Sequence, residues 1–156
     1  MKKILIALDY DPTAEKIAEA GYALAKDMNA QAILLHVLAD TQYYMPLEYS
    51  PIMGFSGMLP LDMVGPLQPE DLEQAALSFL DASRKHLGDP QIETVVAEGE
   101  SSASILKIAN AKNIDIIVIG SHSRSAFEKI IMGSVTEKLL HDCNIPLFIV
   151  PTKKKN

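Results

Sequence analysis

The chain has a single cysteine, Cys143, so no internal disulfide can form and a small secreted scaffold held by cystines is excluded. It has no CxxC, HExxH or GxxxxGK(S/T) pattern, which leaves structural zinc and P-loop chemistry unsupported. No unbroken apolar run approaches the roughly 20 residues that a membrane span requires. Positive charge is scarce: 14 Lys and Arg face 20 Asp and Glu, for a formal charge of -6. Nucleic-acid affinity depends on lysine and arginine neutralising phosphates, so no nucleic-acid partner is expected. The short basic run Lys153-Lys154-Lys155 reads as a solvated end. The opening MKKILIAL starts like a signal peptide, but Asp9 and Asp11 interrupt it and no small-residue cleavage site follows. It reads as a first strand, and with the lone cysteine the expected setting is cytoplasmic.

What is present is an ordinary globular composition, with 48% apolar and 22% charged residues in 156. That length suits one domain spanning 1–156 with one sizeable core. Apolar runs at 3–8, 32–38, 92–97, 115–119 and 146–150 are rich in Ile, Leu and Val without strict alternation, the pattern of strands covered on both faces. Between them lie segments of helical period. Ala14, Ile17, Ala18, Gly21, Ala25 and Met28 form one stripe, with Asp11-Pro12 read as its cap and first-turn proline. Leu72, Ala75, Ala76, Phe79, Leu80 and Leu87 form a second stripe. Ile105, Ile108 and Ala109 form a third, capped by Ser101 or Ser102, and Val135, Leu139 and Leu140 a fourth, opening at Ser134. The alternation predicts an α/β domain with an open five-stranded parallel sheet, right-handed crossovers and helices on both faces.

Residues 41–68 break this rhythm. Tyr43, Tyr44, Met45, Met53, Phe55, Met58 and Met63 are interleaved there with Pro46, Pro51, Pro60 and Pro66. A loop of that length is functional, mobile or folded onto its own side chains, and it could cover a ligand or dock a partner.

Ligands of open parallel sheets bind beyond the carboxyl ends of the strands. Two such ends carry chemistry: Asp9-Tyr10-Asp11 after the first strand, and Gly120-Ser121-His122-Ser123 after the fourth. Further on, Gly133-Ser134-Val135-Thr136-Glu137 spells a capping box, with Ser134 bonding the Glu137 amide and Glu137 reaching back. A phosphate at that helix start uses the same amides and the same dipole, and Gly133 lets an anion approach the backbone. Asp9-Tyr10-Asp11-Pro12-Thr13 also matches the Asp-x-Asp-x-Thr of haloacid-dehalogenase-type phosphatases, in which the first aspartate attacks phosphorus and the second acts as general acid. Such an enzyme needs an acidic pair after a later strand to hold magnesium, and the fourth strand ends in Gly-Ser-His-Ser instead. His141 and Cys143 are two apart and do not face each other on a helix. His36 reads as a strand-end residue and His86 as a helix C-terminal residue favoured by the dipole.

Over nearly its whole length the chain resembles a small, single-domain universal stress protein. ATP-binding members of that family carry Gly, two residues, Gly, nine residues, then Gly followed by Ser or Thr. Here the series is Gly120, Ser121-His122, Ser123, nine residues from Arg124 to Met132, and Gly133-Ser134. The spacing is kept and one glycine is serine; Ala126 also stands where a less strict glycine is common. Asp9, His36-Val37, the 114–120 strand running into Gly-Ser-His, and the 146–150 strand extend the likeness.

The resemblance implies a Rossmann-like, adenine nucleotide alpha hydrolase-like fold that binds ATP or another adenine nucleotide, serving as a regulatory or stress-response module with at most slow hydrolysis. It implies a nucleotide site of Ala7, Asp9, Val37, Gly120, Ser121, His122, Ser123, Arg124, Gly133, Ser134 and Val135. Asp9 sits near the ribose and phosphates or near magnesium or manganese bridging the phosphates. Val37 meets the adenine edge, and Gly133, Ser134 and Val135 hold phosphates. Ser123 weakens or merely modifies the loop if its backbone requires positive φ. The resemblance further implies a homodimer through the 146–150 edge strand. A stress-related interaction protein that binds no nucleotide stays open beside the phosphatase.

Overall fold

Along β1 (Lys3–Ala7) the side chains alternate between two apolar layers: Ile4 and Ile6, continued by Leu8, enter one, and Leu5 the other. The computed structural model that places them describes residues 1–38, 69–121 and 133–152. The Tyr- and Met-bearing loop at 41–68, His122, Ser123, Arg124, Ala126 and the 153–155 tail lie outside the described residues. The remaining elements are α1 (Ala14–Asp27), β2 (Gln31–Leu38), α2 (Pro69–Leu87), β3 (Glu93–Glu98), α3 (Ser101–Ala111), β4 (Ile116–Gly120), α4 (Ser134–Asp142) and β5 (Leu147–Val150). Among the described residues all strand pairs are parallel, in the order β3-β2-β1-β4-β5.

One layer, under α1 and α2, joins Ile4, Ile6, Ile17, Ala18, Leu34, Phe79, Leu80 and Val118. The other, under α3 and α4, joins Leu5, Ile33, Leu35, Ile105, Ala109, Ile117, Ile119 and Leu139. The central strands are apolar on both faces because both are covered, as the sequence pattern requires. Gly21 lets α1 lie close: a Cβ there stands 2.8 Å from Ile6 Cγ1 and Cδ1 and 3.2 Å from Val118 Cγ1. At the ends of β1 and β2, the Tyr10 and His36 rings stack with centroids 4.2 Å apart, and Phe79 from α2 meets Tyr10 edge-on at 5.0 Å. His36 is buried and its Nδ1 bonds the Leu8 carbonyl at 2.8 Å, a packed role for this strand-end histidine.

The helix starts differ from the sequence reading. The cap of α1 is Thr13, two residues after Asp11; Asp11 instead accepts from the Thr13 amide at 2.9 Å and its hydroxyl at 2.7 Å. That local aspartate turn competes successfully with the cap-proline arrangement. In α4 the cap is Gly133, with no side-chain cap bond, so the Ser134–Glu137 box does not form; the Glu137 amide donates to the Gly133 carbonyl at 3.0 Å. Leu140 is 48% exposed, and the buried partner of Leu139 on α4 is Thr136.

In α3 the cap is Glu100 and not either serine. Its carboxylate accepts from the Ala103 amide at 2.8 Å, the Ser102 amide at 3.3 Å and the Ser102 hydroxyl at 2.8 and 2.9 Å, with Lys138 at 3.2 Å. The Ala103 amide first, then the Ser102 hydroxyl, hold this carboxyl down at about 2 against an ordinary 4.5. A folded value below the unfolded one contributes stability above pH 4.5 that is lost as pH falls toward about 2. The group is half exposed and solvent screens it, so its worth is that of a helix cap, about 1 kcal/mol. Urea unfolding should show Glu100→Ala less stable than wild type by about that amount at neutral pH. The gap should narrow steadily as pH falls below 4.5; a pH-independent gap contradicts this account.

Candidate nucleotide site at the β1 and β4 ends

The strand order makes β1 and β4 neighbours while their crossovers leave in opposite directions, β1 through α1 to β2 and β4 through α4 to β5. This is a topological switch point, where the loops diverge and leave a crevice beyond the strand ends. The register pairs Ile4 with Ile116, Leu5 with Ile117 and Ile6 with Val118. Asp9 and Ser121 therefore emerge at the same level on adjacent strands.

Asp9 is exposed just past β1, and its Oδ1 accepts from the Tyr10 amide at 2.8 Å. Ala7 and Val37 are half-buried, and both pack on the α3/α4 layer. At the other end of the crevice, the Gly133 amide donates to the Ser121 carbonyl at 2.9 Å. That single bond brings together the two ends of the segment 122–132 and sets the start of α4 against the end of β4. Thr136, buried in the first turn of α4, donates its hydroxyl to the Gly120 carbonyl at 3.0 Å and fixes the same approach. Thr152, just beyond β5, donates its amide to the Ser121 hydroxyl at 3.1 Å, and the Ser121 amide donates to Val150 at 2.9 Å.

The chemistry of this arrangement is that of an anion cradle. Gly133 has no side chain to cap with, so the cap residue itself leaves the first-turn amides of α4 to another acceptor, and the positive end of the helix dipole lies at that end. Ser134 is exposed and Val135 half-buried, both in the first turn. Gly133 adopts φ -54 and ψ 153, extended backbone open to any residue.

The structure thus brings Asp9, Gly120, Ser121, Gly133, Ser134 and Val135 to one end of the sheet. It gives two of them duties besides a ligand. The Ser121 hydroxyl is bonded to Thr152, and a Cβ on Gly120 stands 2.5 Å from Ile17 Cδ1, so that glycine admits α1. Sequence reasoning missed Thr136 and Thr152. Thr136 carried a signal, a polar residue on the inner face of an otherwise apolar helix; Thr152 carried none, because its partner lies 31 residues away.

Comparison with known proteins gives the family and the fold. A family model described as "Universal stress protein family" matches residues 1–151. Universal stress protein MJ0577 of Methanocaldococcus jannaschii is 31% identical over 161 residues, covering 99% of this chain and 96% of the relative. Universal stress protein YxiE of Bacillus subtilis is 27% identical over 150 residues, covering 95% of this chain and 97% of its own. The solved structure of MJ0577 superposes with a TM-score of 0.72 at 26% identity, covering 99% of this chain and 98% of that one. A universal stress protein solved in complex with cAMP superposes with a TM-score of 0.62 at 16% identity over 97% of this chain and 98% of that one, a likeness of fold. The open five-stranded parallel α/β sheet is the fold these structures share.

Proposed function

Because the chain belongs to the universal stress protein family, we propose that it is a single-domain module binding ATP or another adenine nucleotide in the crevice between β1 and β4. The observation that carries this reading is the Ser121–Gly133 backbone bond, which delivers the glycine-capped start of α4 to the end of β4. Phosphates are held by the amides of Gly133, Ser134 and Val135 and by the Ser134 hydroxyl, with the helix dipole behind them. His122, Ser123 and Arg124, which follow Ser121 in the sequence, are assigned to the phosphate side. Gly120 and Ser121 form the floor, while Ala7 and Val37 flank the base. A fold neighbour solved with cAMP supports the adenine-nucleotide class.

Asp9, the exposed carboxylate at the crevice, suits magnesium or manganese bridging the phosphates, since both prefer oxygen ligands. Such an ion would neutralise phosphate charge beside the carboxylate. The described part of the site offers amides, hydroxyls and the Asp9 carboxylate, so hydrolysis rests on positioning and is slow. The bound state, more than turnover, is then the signal. The phosphatase alternative is disfavoured, because Asp11 is committed to Thr13 and β4 ends in Gly120-Ser121 without an acidic pair.

The same reading makes the protein a cytoplasmic homodimer. β5 is an edge strand and Phe148 on it is 39% exposed, an apolar edge that pairing with a second copy would cover. Pro146 and Pro151 bracket it and confine the pairing to a few residues. Among the described residues no helix is long and apolar enough to cross a membrane.

Mass spectrometry of small molecules released from denatured protein, followed by a thermal-shift screen with nucleotides, tests the proposal. An adenine nucleotide in the released fraction, or a rise in Tm with millimolar ATP and magnesium, is expected. Absence of both leaves a stress-related interaction protein. Light scattering on the same preparation reads the dimer.

A further inference from the structure

Away from the crevice, α1 and α2 lie side by side on one face of the sheet, and their seam holds a group of metal-ligating atoms. Glu15 and Glu19, four apart, share a face of α1. His86 reaches them from the last turn of α2, with Nε2 3.1 Å from Glu15 Oε1 and 2.7 Å from Glu19 Oε1. One ligand atom from each of the three lies within 4.8 Å of the others. We propose that Glu15, Glu19 and His86 form a zinc(II) site that ties α1 to α2.

Three observations carry this. First, zinc bonds to nitrogen and oxygen of about 2.0–2.2 Å place the ligand atoms of a tetrahedron roughly 3.3 Å apart. The Glu15 separation of 3.1 Å is near that edge and the Glu19 separation of 2.7 Å lies inside it, so half-buried Glu15 and exposed Glu19 reach the tetrahedron by small rotamer changes. Second, two carboxylates and a neutral imidazole carry two negative charges, matched by a divalent ion, and the negative end of the α2 dipole adds to the attraction. Imidazole selects zinc over magnesium or calcium. Third, among the described residues the neighbouring cations are turned elsewhere. Arg84 and Lys85 both pair with Asp81, and Lys16 bonds the Pro151 carbonyl at 2.6 Å. Farther along the seam Tyr22 donates to Asp89 at 2.9 Å, and Lys26 lies over the Tyr22 ring. The three side chains are between 36% and 55% exposed, so water reaches the site and can complete the coordination.

Calorimetric titration of zinc into the chelator-treated full chain without nucleotide tests this independently of the crevice. Binding of one zinc is expected, with His86→Gln weakening it by about a hundredfold, since groups that only orient a ligand already count for about 10–100-fold. Glu15→Gln and Glu19→Gln should each weaken it, and His141→Gln should leave it unchanged. At a hundredfold excess over the wild-type Kd, zinc should raise the Tm of wild type by about 5 °C or more and that of His86→Gln by only about 1 °C. Equal affinity in wild type and His86→Gln, loss of binding on Cys143→Ser alone, or no zinc binding at all overturns the proposal. A Tm deficit in His86→Gln that zinc does not enlarge also overturns it, showing an ion pair only.

Discussion

Replacing Gly133 by aspartate should leave the fold intact and remove nucleotide binding. The substitution is unusual in separating the two duties of this position. At φ -54 and ψ 153 the backbone is in a region open to every L-residue, so the change introduces no backbone strain. Aspartate is also a better cap than glycine, worth a few tenths of a kcal/mol, because its carboxylate accepts from the first-turn amides of α4. Those amides are the ones assigned to phosphate. The aspartate would fill the cradle with its own oxygens and set a negative charge where the phosphate sits. Affinity for ATP should fall by at least about a hundredfold, given that one charge-assisted hydrogen bond is worth about 1.5–3 kcal/mol and several are displaced at once. Tm without nucleotide should be unchanged or slightly higher. Nucleotide titration and thermal unfolding of the same variant read both effects. Retained affinity would show that the phosphates are held elsewhere.

Gly120→Ala should act through the opposite link, losing stability first and binding only as a consequence. The added Cβ stands 2.5 Å from Ile17 Cδ1 and 3.0 Å from Thr152 Cγ2, closer than packed carbon atoms approach. Ile17 is only 5% exposed, so its end has little room to swing away. Overpacking of this kind costs about 1–3 kcal/mol. Trimming Ile17 to valine removes the clashing methyl, so Gly120→Ala with Ile17→Val should be more stable than Gly120→Ala alone, although Ile17→Val by itself costs about 1 kcal/mol. Denaturant unfolding of the two single variants and the double closes the cycle. Costs that simply add would show that Gly120 does not exist to admit α1. If the double variant also regains nucleotide affinity, this glycine serves the site by letting α1 and β4 meet, not by touching the ligand.

How far such roles can be read before folding depends on the range of the interactions involved. The α1 stripe was legible because helical period places its residues on one face: Ala14, Ile17, Ala18, Gly21 and Ala25 are buried, while Met28 is the C-cap and half-buried. Leu140 misled because a nine-residue helix buries only a narrow stripe, and Thr136 occupies it beside Leu139. The caps were the weakest reading. Asp11, Ser102 and Ser134 are all competent cap residues, and the choice fell to Thr13, Glu100 and Gly133. Which residue caps depends on where the chain enters the helix, and the preceding strand and its neighbours set that angle.

By itself the sequence determined the alternation of strand and helix, the two-sided burial of the central strands, and the spacing that makes Gly120 to Ser134 resemble a nucleotide loop. These follow from local periodicity and from residue types a few positions apart. Only the tertiary structure decided that β1 lies beside β4, that Thr136 and Thr152 bond to Gly120 and Ser121 at the end of β4, and that Glu15 and Glu19 meet His86 across 67 residues or more of chain. Strand order and helix seams are settled by which buried surfaces fit one another, and that fit is a property of pairs distant in sequence, invisible to any pattern along it.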